Sequence, residues 1–595
     1  MRQSIPGDYP RPQFYRPDWL SLDGEWQFQL DLSNSGLERG LPGREPLEGV
    51  IRVPFCPESR LSGVGYTDFI PACWYRRRFA LPEEWAGKRV LLHFGAVYYR
   101  CRVWINGAEA GSHEGGHASF TLDITAFARP GENTIVVQAE SDVRDPMQPS
   151  GKQSPRYGGF GCFYTRTTGI WQSVWLEAVS DAFVESYRYA ADIANCRLLC
   201  RFGIRGAGAD LTLRLRAEYQ GKPAGEMRLR VSGDAARCAL PLNALHLWEA
   251  GKGRLYALYI ELWDGEMPVD CVQSYFGMRE VAAKDGKFLL NGAPLFMRLV
   301  LDQGFNPEGV LTPPDDDFRR DDILRAMALG FNGARLHQKV FDARTLYWAD
   351  RCGYLLWGEY PNWGLDLERE AALTRFTPEW LEVLARDSSA PSIVAWCPIN
   401  ESETRSSMAV ERAIYRLTRA VDPTRPVLDA SGWTHSGETD IWDYHDYEQD
   451  PAVFAEHARA YASAAPGEPF PHVPGTYPYV NRKAPRLISH GQPVLVSEFG
   501  GIGWTGASDD AWGYGVNPRT SEEFIDRMGG LFRVLNTTPG FCGLCYTQLT
   551  DVEQEQNGLY TYDRQPKFPI ATLRDRVLEG VPEDRRPGPA EIFEI

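Results

Sequence analysis

Two glutamates stand where apolar, strand-like runs give way to polar sequence. SIVAWCPINESE places Asn400 and Glu401 at such a point, and PVLVSEFGG places Glu498 at another. A pair of this kind suits cleavage of a glycosidic bond. One carboxylic acid protonates the leaving oxygen, and a carboxylate about 5–5.5 Å away attacks the anomeric carbon to form a glycosyl-enzyme. A glutamate at a strand end also serves as an ordinary ion-pair partner. Glu359, which ends the next such run in WGEYPNW, is read equally as a pocket residue or as half of a structural ion pair. Glu403 follows Glu401 by two residues, so its side chain is expected to point elsewhere.

Residues so placed need a frame whose strand ends converge. After residue 295 strands and amphipathic helices alternate, with strands read at FMRLVL, NGARLH, YLLWGEY, SIVAWCP, PVLDAS, DIWDYH, PVLVSEF and FCGLCYTQL. Helices are read at DDDFRRDDILRAMALG, FDARTLYWADRCG, TPEWLEVLARDSS, AVERAIYRLTRAVD and SEEFIDRMGGLFRVL. This alternation predicts a C-terminal (β/α)8 TIM barrel, a fold whose chemistry sits at the C-terminal ends of its strands. The stretch from Glu448 to Gln492, rich in Pro, Ala, Gly and Tyr, is expected to shape the rim of the site. Upstream the pattern is all strand. Residues 1–180 carry short alternating runs and an Asn106–Gly107 hairpin turn, which predicts a jelly-roll β-sandwich. Residues 181–280 hold about seven further strands, as an immunoglobulin-like β-sandwich does. Residues 281–595 are then the barrel, entered through a hairpin at Asn291–Gly292.

The formal net charge of −16 argues against nucleic acid or an anionic membrane as partner. The N-terminal MRQSIPGDYPRPQFYRP lacks the apolar core of a signal peptide, and no run approaches the roughly 18 apolar residues of a membrane span. A soluble, cytoplasmic chain with reduced cysteines is therefore expected. The 12 cysteines are scattered, and Cys542 and Cys545 lie within the apolar FCGLCY, which reads as a buried strand rather than a redox motif. The heavy aromatic content suits both sugar faces and sandwich cores.

The chain resembles glycoside hydrolase family 2, the family of β-galactosidases, β-glucuronidases and β-mannosidases. SLDGEWQFQLD, WYRRRF, VWINGAEAG and TGIWQSVWLE resemble its sugar-binding domain, GFNGARLHQ its second barrel strand, NES its acid/base motif and SEFGG its nucleophile motif. The resemblance implies that Glu401 is the general acid/base, that Glu498 is the nucleophile, and that Asn400 bonds the sugar 2-hydroxyl. It implies that Arg335 orients the nucleophile and that His337 contacts a sugar hydroxyl. Trp433 and His435, and Tyr444, His445 and Tyr447, fall at the fifth and sixth strand ends, either tyrosine being a candidate to support the nucleophile. Trp504 is read as a sugar platform or as packing. Two departures bear on the sugar. Where many relatives carry an Asn-His-Glu-like segment, this chain reads LDQG, so Asp302 and Gln303 would bind hydroxyls instead. The Asn-x-Lys motif with which β-glucuronidases grip the substrate carboxylate is replaced by Glu555 and Asn557, without the lysine. The expectation is a retaining exo-glycosidase for a neutral sugar, β-galactoside-like or a furanoside such as galactofuranoside or arabinofuranoside. The alternatives are a β-glucuronidase or β-mannosidase and, in another class, an inactive carbohydrate-binding protein. No organic cofactor is implied and no metal ligand set is named. A carbohydrate is the expected partner, and a homo-oligomer is compatible with the resemblance.

Overall fold

The computed structural model describes residues 5–206, 210–402, 408–471, 473–476, 487–505 and 512–594. Its first unit is a sandwich. A six-stranded antiparallel sheet contains Gly24–Leu30, Ala72–Leu81, Gly131–Glu140 and the hairpin Arg100–Ile105/Ala108–Glu114. A four-stranded sheet contains Arg89–Phe94 and Val174–Val179. Alternate residues of both meet in one core that includes Trp26, Tyr75, Val103 and Val137 from the first and Leu92, Phe94 and Leu176 from the second. The hairpin closes through Asn106 and Gly107, whose φ angles of 51° and 86° are those of the left-handed turn that Asn-Gly favours. A second sandwich follows, with Phe183–Asp192, Arg197–Arg205 and Ala235–Pro241 in one sheet. Its other sheet holds Leu211–Tyr219, Lys222–Arg230, Tyr256–Asp264 and Met267–Phe276.

The barrel sheet curls through seven parallel strands. In chain order they are Met297–Asp302, Gly333–Leu336, Leu355–Glu359, Ile393–Cys397, Trp442–Asp446, Val494–Gly500 and Phe541–Thr547. The expected fifth strand, PVLDAS, is present only as isolated bridges, Trp396 to Val427 and Asn400 to Ser431. The reason is local. Pro426 has no N–H, and the Val427 and Ala430 N–H groups donate to the side chains of Asp440 and Asp429, so a regular ladder cannot form. The helices follow their caps. Asp315 accepts from Phe318 N at the start of Asp316–Ala328, Asp342 from Thr345 N at Ala343–Cys352, and Thr520 from Glu523 N at Ser521–Thr537. The Glu448–Gln492 stretch is not all rim. It contains the helix Pro451–Ala462, started by Asp450 and a proline in its first turn, which an alanine-rich sequence of weak periodicity conceals. All 12 cysteines are unpaired thiols. Among the described residues, no helix is long and apolar enough to cross a membrane.

Candidate active site

The ends of Gly333–Leu336, Leu355–Glu359, Ile393–Cys397, Trp442–Asp446 and Val494–Gly500 bring one charged network together. Arg335, wholly buried on the second strand, is its hub. Its Nε donates to Glu359 Oε2 at 2.6 Å, Nη1 to Glu498 Oε1 at 2.9 Å and Nη2 to Asn400 Oδ1 at 2.6 Å. A guanidinium suits this task because its planar donors fix three acceptors at once. Glu359 is thereby committed: it also accepts from Gln338 N at 2.9 Å and lies 3.1 Å from His337 Nδ1. Burial alone would raise the Glu359 pKa, but Arg335 and His337 outweigh it and hold the group down at about 2.

Asn400 is oriented from both sides. Its Oδ1 is taken by Arg335, its N–H donates to Asn362 Oδ1 at 2.8 Å, and its Nδ2 has no partner among the described residues. The amide therefore presents a fixed, unused donor beside Glu401. Glu401 itself has φ of 45°, a left-handed conformation costly for a side-chain-bearing residue and retained here by a 2.8 Å bond from its N–H to Ser431 O.

His445 lies between the two glutamates. Its Nδ1 is 2.7 Å from Glu401 Oε1, and its Nε2 is 3.5 Å from Glu498 Oε1. One oxygen of each glutamate and a ring nitrogen of His445 all fall within 4.8 Å of one another. That closeness is compatible with the roughly 5–5.5 Å between the carboxyl groups of a retaining pair. Glu498 also accepts a hydrogen bond from Tyr447 OH. Burial pushes its pKa up, but His445, Arg335, His337 and Lys152 overcome this and bring it to about 2, so it stays a carboxylate. Of the two candidate tyrosines, Tyr447 is the one that reaches the carboxylate, held flat against Tyr514 at 3.5 Å between ring centroids. Tyr444 instead packs on Tyr461.

Other predicted residues have their own surroundings. Both ring nitrogens of His435 are used, Nδ1 on Asp429 at 2.7 Å and Nε2 on Asp443 O at 2.8 Å, leaving neither for a sugar. Those aspartates outweigh burial and raise its pKa to about 9. Trp504 packs on Phe524 and Phe568, as core aromatics do. Asp302 accepts from Gly304 N, which caps the turn beyond its strand. Trp433 is half-buried on the loop after Ser431. Glu403 lies outside the described residues.

One wall was not foreseen. The loop 150–165 leaves the first sandwich and lies over the barrel loops that follow Leu355–Glu359 and Phe541–Thr547. Ser150 N and Gly151 N donate to Trp363 O at 2.7 and 3.0 Å, and Gln554 Nε2 donates to Gly161 O and Phe163 O at 2.8 and 2.9 Å. It delivers Lys152, whose ammonium sits 4.1 Å above the Trp363 ring, and Tyr164, which donates to Glu555. Gln303 donates to the Tyr164 hydroxyl at 3.1 Å, and Asn557 donates to Glu555 at 3.0 Å. Nothing in the strand pattern points to this loop. Its only signal is a run of Gly, Pro and aromatic residues without periodicity. A cavity of about 300 Å³ between the sandwiches and the barrel helices is a different place. Its arginines are already paired, Arg344 with Asp316 and Arg386 with Asp387, and none of the network glutamates line it.

This network can hold one carboxyl group ionised beside a second that lies within hydrogen-bond reach of a histidine, with a fixed amide donor alongside. Comparison with known proteins agrees with that chemistry. Residues 64–176 match the family model "Glycosyl hydrolases family 2, sugar binding domain", and residues 281–462 match "Glycosyl hydrolases family 2, TIM barrel domain". A β-glucuronidase of Paenibacillus borealis is 25% identical, the alignment covering 93% of this chain and 96% of that protein. The Mus musculus β-glucuronidase is 24% identical over 93% of this chain and 90% of its own. The crystal structure of a β-glucuronidase from Ruminococcus gnavus superimposes with a TM-score of 0.78 at 21% identity, covering 95% of this chain and all of that one. With matches to both the sugar-binding and the barrel domain, in that order, this chain belongs to glycoside hydrolase family 2 and is a glycoside hydrolase.

Proposed function

We propose that this glycosidase is a retaining, exo-acting enzyme for β-linked terminal uronides of the glucuronide type, with Glu498 as nucleophile and Glu401 as general acid/base. The observation that carries the mechanism is the approach of these two carboxyl groups within 4.8 Å, one of them locked ionised by Arg335. Glu498 attacks the anomeric carbon while Glu401 protonates the departing oxygen. Glu401 then takes a proton from water as the glycosyl-enzyme is hydrolysed. The unused Nδ2 of Asn400 is placed to donate to the sugar 2-hydroxyl.

The choice of sugar is supported by the full-length relatives named β-glucuronidase, which favour a uronide over the neutral sugar expected from the sequence. One observation favours a neutral galactoside or furanoside as second reading: Glu555 and Asn557 stand where the carboxylate-gripping motif is expected, and an acid there repels an acid. A panel of nitrophenyl β-glucuronide, β-mannoside, β-galactoside and furanosides separates the readings. The glucuronide should have the highest kcat/KM. A neutral glycoside in first place overturns the uronide and leaves the mechanism standing. For the mechanism, Glu498→Ala should lose at least about 10⁴-fold in kcat and regain turnover with azide, giving a glycosyl azide of inverted configuration. Turnover near that of the unaltered enzyme would remove Glu498 from the nucleophile role.

A further inference from the structure

We propose that Lys152, carried by the first sandwich, recognises a carboxylate on the terminal sugar and takes the place of the lysine missing from the loop after the last barrel strand. The inference rests on the uronide reading above. Lys152 is 6% exposed, and a lysine is seldom buried so far without an anionic partner. Among the described residues, no carboxylate oxygen comes within 4.0 Å of its Nζ, which lies instead over the Trp363 ring beside the Cys162 thiol.

The acidic groups whose fields it feels are the Cys162 thiol beside it and, after that, three carboxyl groups, those of Glu555, Glu401 and Glu498. Each carboxyl group already has closer partners. Glu498 binds Arg335 and Tyr447, Glu401 binds His445, and Glu555 accepts from Tyr164 and Asn557. The ammonium is therefore charged and desolvated at the edge of the space the sugar must enter, with the Cys162 thiol and the Trp363 ring beside it and no carboxylate paired to it among the described residues. It stands on the Glu555 side, the end where the family resemblance puts carboxylate recognition. Burial raises the Glu555 pKa, which softens its repulsion toward an incoming anion. A neutral hydroxyl could bond the ammonium, but only an anion balances its charge, and in a water-poor pocket that balance is worth more than in solvent.

The placement is built into the fold. Gly151 has φ of +55°, and a β-carbon there would stand 2.6 Å from Gln338 O, so the chain at this point requires glycine to pass so close to the barrel. The two bonds to Trp363 O then fix the residue that follows.

The test compares kcat/KM for nitrophenyl β-glucuronide and nitrophenyl β-glucoside on one preparation of each of three proteins: the unaltered enzyme, Lys152→Met and Lys152→Arg. The glucuronide-to-glucoside ratio should fall roughly 100-fold in Lys152→Met, mainly through KM, and recover in part in Lys152→Arg. An equal loss on both substrates assigns Lys152 to the field around Glu498 and overturns the proposal, as does a ratio changed less than threefold. If the unaltered enzyme cleaves a neutral glycoside and no glucuronide, the uronide reading fails by itself. D-glucuronate is then assayed as a competitive inhibitor of the neutral substrate. The Lys152 inference survives that case only if glucuronate inhibits more tightly than glucose and Lys152→Met abolishes the difference; equal inhibition overturns it.

Discussion

At the scale of single residues, Arg335 ties the ionisation of Glu359 to that of Glu498. Replacing it by Gln leaves Glu359 and Glu498 buried without the guanidinium they share. Loss of one partner of a buried pair costs about 3–5 kcal/mol, so denaturant titration should show a destabilisation of that order. The pKa of Glu498 should rise from about 2, which carries the acid limb of kcat/KM toward higher pH in the variant. Stability should depend on pH at both ends. The folded pKa of Glu359 and Glu498, about 2 each, lies below the ordinary glutamate value near 4.3. Their contribution is therefore present above pH ~4.3 and disappears as pH falls through about 2. His435 has the opposite sign. Its pKa of about 9 lies above the ordinary value, so its contribution is complete below pH ~6.5 and is lost as pH rises through 9. Tm measured from pH 6 to 10 should decline over that window, and His435→Asn should flatten the decline. The convergence of Glu401 and Glu498 was legible because an acid that ends an apolar run in a barrel must face the mouth of the barrel. His435 met the same rule and escaped it, since the segment before it forms no regular strand and Asp429 and Asp443 draw the imidazole into the core.

Among elements, the barrel was legible where local chemistry and tertiary packing agree. Asp315, Asp342 and Thr520 each announce a helix that the fold needs. The Pro451–Ala462 helix was hidden because its small residues give no clear stripe, although packing buries Phe454, Ala458 and Tyr461 on one side. The 150–165 loop was illegible for a different reason: its meaning depends on partners far along the chain, Tyr164 lying 391 residues before Glu555. Its rigidity is testable through Gly151. Gly151→Ala imposes a left-handed backbone on alanine and a clash with Gln338 O, about 1–3 kcal/mol of local strain. The expected result is a lower kcat/KM together with faster limited proteolysis within residues 151–165, at a nearly unchanged global Tm. A variant as protease-resistant as the parent would show that the loop does not depend on this contact.

Over the whole molecule, the first sandwich and the barrel are joined by polar groups as well as by an apolar seam that sets Tyr98, Tyr99, Val143 and Trp171 against Phe305, Leu311 and Val552. Glu379, on the barrel helix Leu373–Asp387, accepts from His117 N of the sandwich and, at 2.6 Å, from the Tyr360 hydroxyl of its own barrel. Arg375 pairs with Glu114, and Glu382 lies 2.9 Å from His113. Glu379→Ala should therefore leave two buried donors unpaired, at about 1–3 kcal/mol each. Calorimetry should resolve this as a separation of sandwich and barrel unfolding, where the parent unfolds the two together.

The loop pinned between the barrel loops that follow Leu355–Glu359 and Phe541–Thr547 has a consequence for how such enzymes diversify. The atoms that break the bond are inherited with the barrel, whereas part of the wall that meets the substrate is inherited with a separate fold encoded hundreds of residues upstream. Recombination or insertion within that upstream segment can change which glycosides are admitted without passing through catalytically dead intermediates.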